Sequence, residues 1–271
     1  GISYSTEDKL NITKKLDELG IDYVEGGWPG SNPKDIEYFK KVQDVELETT
    51  QVVAFASTRR AKVAAEEDKN LAAVLESGVD VATIFGKSWD LHVTDALKTE
   101  LEENLRMVEE SISYLRENGL EVHFDAEHFF DGYKANPEYA LKVLKAAERG
   151  GAETLVLCDT NGGTLPSEVR EIISTIQDEV ETPLGMHAHN DTDVAVANSL
   201  AAVEEGVYHV QGTINGYGER CGNANLSSII PNLKLKYDKD FAFMTDNQLF
   251  KLTEVSRYVS EVANLSPPPH S

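Results

Sequence analysis

The chain has 271 residues, 41% of them hydrophobic, and a formal net charge of −22 from 47 acidic against 25 basic residues. Charge of that sign excludes nucleic acid as a partner, because displacing phosphate counterions takes cationic patches; an anionic substrate would need positive charge supplied locally, by a metal or an arginine. No run of 18 apolar residues excludes a helical membrane span, and two cysteines, Cys158 and Cys221, imply no disulfide framework and a reducing cytoplasm.

One rhythm runs along the chain: an amphipathic helix, a glycine, then a short apolar strand ending in polar residues. Helices are predicted over 6–19, 33–42, 61–76, 97–118, 137–149, 166–180, 193–205 and 224–232. Strands are predicted around Tyr23-Val24-Glu25, over 50–56, and around Val81-Ala82-Thr83, Val122-His123-Phe124, Leu155-Val156-Leu157, Leu184 to His189 and Val210-Gln211. The glycine just past each helix, Gly20 for example, suits the left-handed residue that closes a last turn. Strands alternating with helices make a parallel sheet. The expected fold class is therefore α/β, a (β/α)8 barrel, with a doubly wound open sheet as the competitor. The open sheet carries a Gly-rich phosphate turn after its first strand, and no GxGxxG follows a strand here. Seven strands are visible, so an eighth is expected before Gly1, a residue that also marks a start without Met. Residues 1–240 are read as the barrel. Residues 241–271 are read as a helix over 246–265 followed by a Pro-rich linker, with a further segment expected beyond it.

In a barrel, the C-terminal strand ends carry the chemistry. Glu25, Asp125, Glu127, Asp159, Thr160, His187, His189 and Asn215 all fall there. His187 and His189 share one face of a strand, one pleat apart, so they can grip one divalent cation or be two half-buried histidines bonded to backbone. Two imidazoles leave the shell incomplete. Asn223, in the Gly-rich loop after the next strand, is either a further oxygen donor or a turn residue. Glu127 shares parity with His123 and Asp125 and can orient a substrate, relay a proton or bind metal, while His123 and Asp125 also read as a structural polar pair. His128 falls on the opposite face. Thr160 either holds a substrate carboxylate or caps the next turn. Arg220 has three possible partners: Glu219, another acid or an anionic ligand. Arg59 and Arg60 follow a strand end and could meet a phosphate. Cys158 and Cys221 read as packing residues.

The segment His187-Ala188-His189-Asn190-Asp191, with Gly218-Glu219-Arg220-Cys221-Gly222-Asn223, resembles the metal-dependent aldolase-type acyltransferases: isopropylmalate, homocitrate and citramalate synthases. Longer stretches around Glu25-Gly26-Gly27-Trp28-Pro29, Phe85-Gly86-Lys87-Ser88-Trp89 and Asp125-Ala126-Glu127-His128-Phe129 look most like citramalate synthase. The resemblance runs to about residue 237. It implies condensation of acetyl-CoA with a 2-oxo acid, here pyruvate, on a divalent metal (Mg²⁺, Mn²⁺ or Zn²⁺) in a cytoplasmic homodimer. It also implies His187, His189 and Asn223 at the metal, Glu127 as catalytic glutamate and Thr160 on the oxo acid's carboxylate; Asp125, Glu25 and Arg220, by their place near the strand ends, are expected around the substrate. Two departures stand out. The first-strand Asp-Thr-Thr-Leu-Arg-Asp-Gly motif, with its arginine and carboxylate ligand, is absent. So is a histidine segment delivered from beyond the barrel. The isolated chain is therefore expected to be inactive, with a gap between the strands at Tyr23 and His209. A lyase of the same superfamily and a non-catalytic barrel remain as alternatives.

Overall fold

The computed structural model describes residues 2–237 and 244–266. Helix α1, Thr6–Leu19, is closed at its start by a reciprocal pair in which Ser5 and Asp8 cap each other's backbone, and at its end by Gly20 at φ 85°. Strands follow in chain order: β1 Tyr23–Gly27, β2 Gln51–Ser57, β3 Val81–Lys87, β4 Glu121–Glu127, β5 Thr154–Asp159, β6 Leu184–Ala188 and β7 His209–Gln211. They form one seven-stranded sheet in the order β1-β2-β3-β4-β5-β6-β7. All six pairings are parallel. This is the (β/α) barrel expected from the rhythm, and the doubly wound sheet is ruled out because its strand order would reverse in the middle.

The sheet curls until its two edges face each other. Tyr23 on β1 stacks on His209 of β7 with ring centroids 5.8 Å apart, and His123 of β4 touches both rings at 4.8 Å. Among the described residues no strand hydrogen-bonds to β1 and β7 across this seam, which lies where the sequence places the gap. Parity sorts the strand residues. Ala54, Ile84, Phe124, Leu155 and Met186 point outward and are fully buried against helix residues such as Leu71, Ile112, Leu115 and Leu144. Their neighbours face the lumen and supply the polar groups.

The remaining helices cover the outside: α2 Pro33–Val42, α3 Lys69–Glu76, α4 Leu101–Glu117, α5 Phe129–Ala135, α6 Pro137–Gly150, α7 Pro166–Gln177, α8 Ala195–Glu204, α9 Leu226–Lys236, α10 Asp246–Phe250 and α11 Leu252–Val262. The predicted helix over 61–76 is shorter, because Asp68 turns its carboxylate onto the Asn70 and Leu71 N–H groups and starts α3 there. The helix predicted over 97–118 begins later: a wide π-type turn, Val93–Leu97, ends at Lys98 with φ 54°, and α4 starts at Leu101. The single helix expected over 246–265 is two, with the break at Lys251. Val255 and Val259 of α11 pack with Leu19, Ile214, Ile230 and Met244 in a second, smaller apolar cluster. The boundary placed at 240/241 and the proline run 267–269 lie outside the described residues. No helix among the described residues is long and apolar enough to cross a membrane.

Candidate active site

Strand β6 delivers His187 into the lumen, and His189 follows in an isolated bridge to Asn223. Gln211, at the end of β7, donates its amide N–H to Asp125 Oδ1 at 2.9 Å. That leaves Gln211 Oε1 to accept, and it lies 2.7 Å from His187 Nδ1. His187 must therefore carry its proton on Nδ1, and the lone pair of Nε2 points away into the lumen. Nε2 of His189 lies 3.2 Å from it, and the Asn223 Nδ2 donates to it at 3.2 Å. Burial first, then the nearby His187 and Arg220, push the His189 imidazole down to about 4, so it is neutral and ready to donate electrons. Two imidazole nitrogens beside a side-chain amide, whose oxygen faces them once the amide is turned over, are a donor set for a divalent cation, with positions left to fill. No three His, Cys, Asp or Glu side chains among the described residues are grouped for a metal, so these imidazoles need the amide and further donors.

Asn223 reaches this place on a loop folded tightly on itself. Its N–H donates to Gly216 O at 3.0 Å, while Ala224 N–H reaches Ala188 O at 2.9 Å and Asn190 N–H reaches Gly222 O at 2.9 Å. A Cβ on Gly218 would overlap the Asn223 side chain, and one on Gly222, at φ 100°, would overlap Gly216 O. The glycines are thus what lets Asn223 approach the histidines.

Asp125 is 5% exposed, and its carboxyl is pushed up by burial, opposed by the Gln211 bond and reinforced by Glu127. Glu25 stands near it on β1; enclosure within the lumen and the Asp125 charge raise it too, while His187 and Thr83 favour its charged form. Glu25 still opens to water, so the stronger perturbation belongs to Asp125.

At the ends of β3 and β4, register pairs Lys87 with Glu127, and their side chains form an ion pair. Ser88 donates to Glu127 O from both its N–H and its hydroxyl. The chain then turns left-handed at His128, φ 59°, whose N–H donates to Thr160 Oγ1 at 2.8 Å. The alternation that put His128 on the opposite face stops at this turn. Its ring lies edge-on to His92, 4.3 Å between centroids, beside Trp89. The Thr160 hydroxyl accepts from the neighbouring strand's turn and keeps its own proton to donate.

Of the three possible partners of Arg220 the structure gives it both acids: Nε and Nη2 lie on the two Asp191 oxygens at 2.8 and 2.9 Å, Nη1 lies 3.8 Å from Glu219 Oε2, and Nη2 also reaches Thr160 O at 2.6 Å. It ties together the loops that follow β5, β6 and β7. Arg59 cannot meet a phosphate; it is 3% exposed and committed to Glu103 and Glu110 at 2.9 and 2.7 Å.

Sequence reasoning missed three parts of the site. Lys87 shares lumen parity with Phe85 and Thr83, a signal available in the strand. Gln211 likewise ends its strand on the lumen side. The third is an aromatic wall: Phe55 and Phe85 stack at 5.2 Å, and Trp28 stands edge-on to both at 6.2 and 5.6 Å. Phe85 is the register partner of Asp125, which sets the wall beside the polar centre.

The HMGL-like family profile matches residues 1–259. The chain belongs to the HMGL-like family. It is 57% identical over 269 residues to a protein named (R)-citramalate synthase from Geobacter sulfurreducens, covering 99% of this chain and 51% of that one. A protein of the same name from Aquifex aeolicus is 54% identical with the same coverage, and a homocitrate synthase from Methanopyrus kandleri is 35% identical, covering 64% of that protein. The chain thus spans about half the length of the citramalate synthases it matches. The hydroxymethylglutaryl-CoA lyase of Pseudomonas aeruginosa shares the fold, with TM-score 0.79 and 19% identity over 98% of this chain and 89% of that one.

Proposed function

We propose that this chain carries the barrel of a divalent-metal-dependent enzyme that condenses acetyl-CoA with pyruvate to give citramalate. The observation that carries the reading is the pair of imidazoles 3.2 Å apart, one with its tautomer set by Gln211, beside an amide held in place by glycines. Identities of 48 to 57% to five proteins named (R)-citramalate synthase support the choice of reaction. His187, His189 and Asn223 would hold the metal, together with donors still to be found. Bound there, Mg²⁺, Mn²⁺ or Zn²⁺ would supply Lewis-acid polarisation of the keto group, worth several kcal/mol.

The chain's own residues do the rest. Thr160 offers its hydroxyl proton to the oxo acid's carboxylate. Glu127, gripped by Lys87, faces the reacting carbons and relays protons through its carboxylate. Asp125 holds Gln211, and through it His187. Glu25 closes the far side of the lumen. The wall of Trp28, Phe55 and Phe85 presents bulk where the oxo acid's side chain would lie, which favours a methyl group over an isopropyl group. We read the working protein as a cytoplasmic homodimer.

The test is thiol release from acetyl-CoA by the full-length protein with Mn²⁺ or Mg²⁺, offering pyruvate, 2-oxoisovalerate and 2-oxoglutarate in parallel. Release with pyruvate, abolished by His189→Ala, is expected. Release with 2-oxoisovalerate instead changes the substrate and keeps the site. Absence of release with all three overturns the synthase reading.

A further inference from the structure

Asn215 follows β7 and falls among the polar residues at strand ends, yet its amide faces away from the two histidines and towards α11. Its Nδ2 donates to Ser256 O at 2.9 Å and to Ser260 Oγ at 3.0 Å. Its Oδ1 accepts from Ser256 Oγ at 2.6 Å and from Ser227 Oγ at 3.2 Å. A side-chain amide has two N–H donors and two acceptor lone pairs, and here all four are used. Ser256 O can only accept, which fixes the orientation of the amide. Ser260 Oγ also accepts from Tyr217 OH at 3.1 Å and donates back to Ser256 O at 3.0 Å. Ser260 is 3% exposed, so the bonds it makes are shielded from water.

The backbone at Asn215 is left-handed, φ 64° and ψ 11°, a conformation that costs a residue with a side chain and persists where its surroundings impose it. The next residue, Gly216, accepts the Asn223 N–H at 3.0 Å, and Thr213 is bonded to Ala224 O, Leu226 N–H and Tyr217 O. Two hydrogen bonds and one peptide link therefore separate α11 from Asn223. Ile214, between Thr213 and Asn215, is buried against Val255 and Val259 of the same helix.

We propose that Asn215 is a positioning residue: it clamps the Asn223 loop to α11, so that the place of the Asn223 amide beside His187 depends on Ser256 and Ser260. The consequence for metal binding rests on the reading of Asn223 as a metal donor; the clamp does not. Outer partners that hold a ligand in place are worth about ten- to a hundredfold in metal affinity.

The test uses the full-length protein and three variants. Asn215→Gly keeps the left-handed backbone and removes the amide. Ser256→Ala combined with Ser260→Ala leaves the loop sequence intact, and should Asn215→Gly fail to fold, this pair carries the test alone. Ser256→Thr keeps a hydroxyl. The first readout is hydrogen exchange of the Asn223 amide in metal-free protein, with the Phe124 amide of β4 as the reference for global unfolding. The second is Mn²⁺ binding by electron paramagnetic resonance, with His187→Ala as the control that removes the site. Asn223 exchange about tenfold faster in the first two variants, Phe124 unchanged, and Mn²⁺ held about tenfold more weakly are expected, with Ser256→Thr near the parent on both. Unchanged Asn223 exchange in folded variants overturns the clamp. Mn²⁺ binding that His187→Ala leaves intact overturns the metal reading, and the exchange data then decide the clamp by themselves.

Discussion

Gln211 decides which nitrogen of His187 faces the centre of the site. Its amide is polarised at one end by Asp125 and at the other by the imidazole, so a buried carboxyl two strands away sets a tautomer. Gln211→Leu keeps the volume and removes both bonds. His187 is then free to rotate or to place its proton on Nε2, and a metal donor is lost part of the time. We expect Mn²⁺ affinity to fall about ten- to a hundredfold, measured by titration, with little change in the unfolding midpoint. Affinity equal to the parent's would mean that β6 alone orients the ring. Arg220 shows the opposite economy, since its guanidinium is bound to Asp191 and Thr160 O and its work is to hold three loops together.

Tyr23 and His209, the first residues of β1 and β7, meet at the seam with His123 of β4 against both, and the surroundings favour the neutral form of the two histidines. Burial lowers both, and His209, with His123 beside it, is pushed down to about 3. The unfolded chain takes up these protons near 6.5 and the folded one does not, so below pH 6.5 the unfolded state binds more protons and stability falls with pH. For His209 the window runs from 6.5 down to about 3, and each unit of it costs about 1.4 kcal/mol. His209→Phe should keep the stack on Tyr23 and remove one such loss. Its stability between pH 7 and pH 5 should fall by about 2 kcal/mol less than the parent's, measured by urea denaturation. An equal fall in both would place the acid sensitivity elsewhere, for instance at His189, which burial also lowers, to about 4. Glu103 acts in a lower range: burial opposes its charge, yet the Lys62 N–H, Arg59 and Arg106 hold it down to about 2, so its contribution is lost only below about pH 4.5. Elements of this kind were legible where a local rule decides them. Glycine after each helix and alternation along each strand are local, and they placed seven strands in order with His187, His189, Asp125 and Glu127 on the lumen side. The helix start at Asp68, the left-handed turn at His128 and the partners of Thr160 and Arg220 depend on which side chain arrives from elsewhere, and no spacing encodes that.

The charge of the whole molecule bears on how substrates arrive. The chain carries −22, and three cations near its strand ends are already matched, Lys87 by Glu127, Arg220 by Asp191, and Arg59 by Glu103 and Glu110, which leaves the exposed Arg60. An acyl-CoA and a 2-oxo acid are both anions, so on the proposed function they approach a repelling field, and any gain from a bound metal begins only at close range. The Debye length is about 10 Å at 0.1 M salt and about 30 Å at 0.01 M, so added salt removes the long-range part of the repulsion and leaves short contacts nearly intact. For the full-length protein, kcat/KM for acetyl-CoA below saturation should therefore rise several-fold between 0.01 and 0.1 M of a salt whose anion does not bind the metal, with kcat steady. If kcat/KM falls over that range, a local cationic path is capturing the substrate, and the net charge of this barrel has no part in its approach.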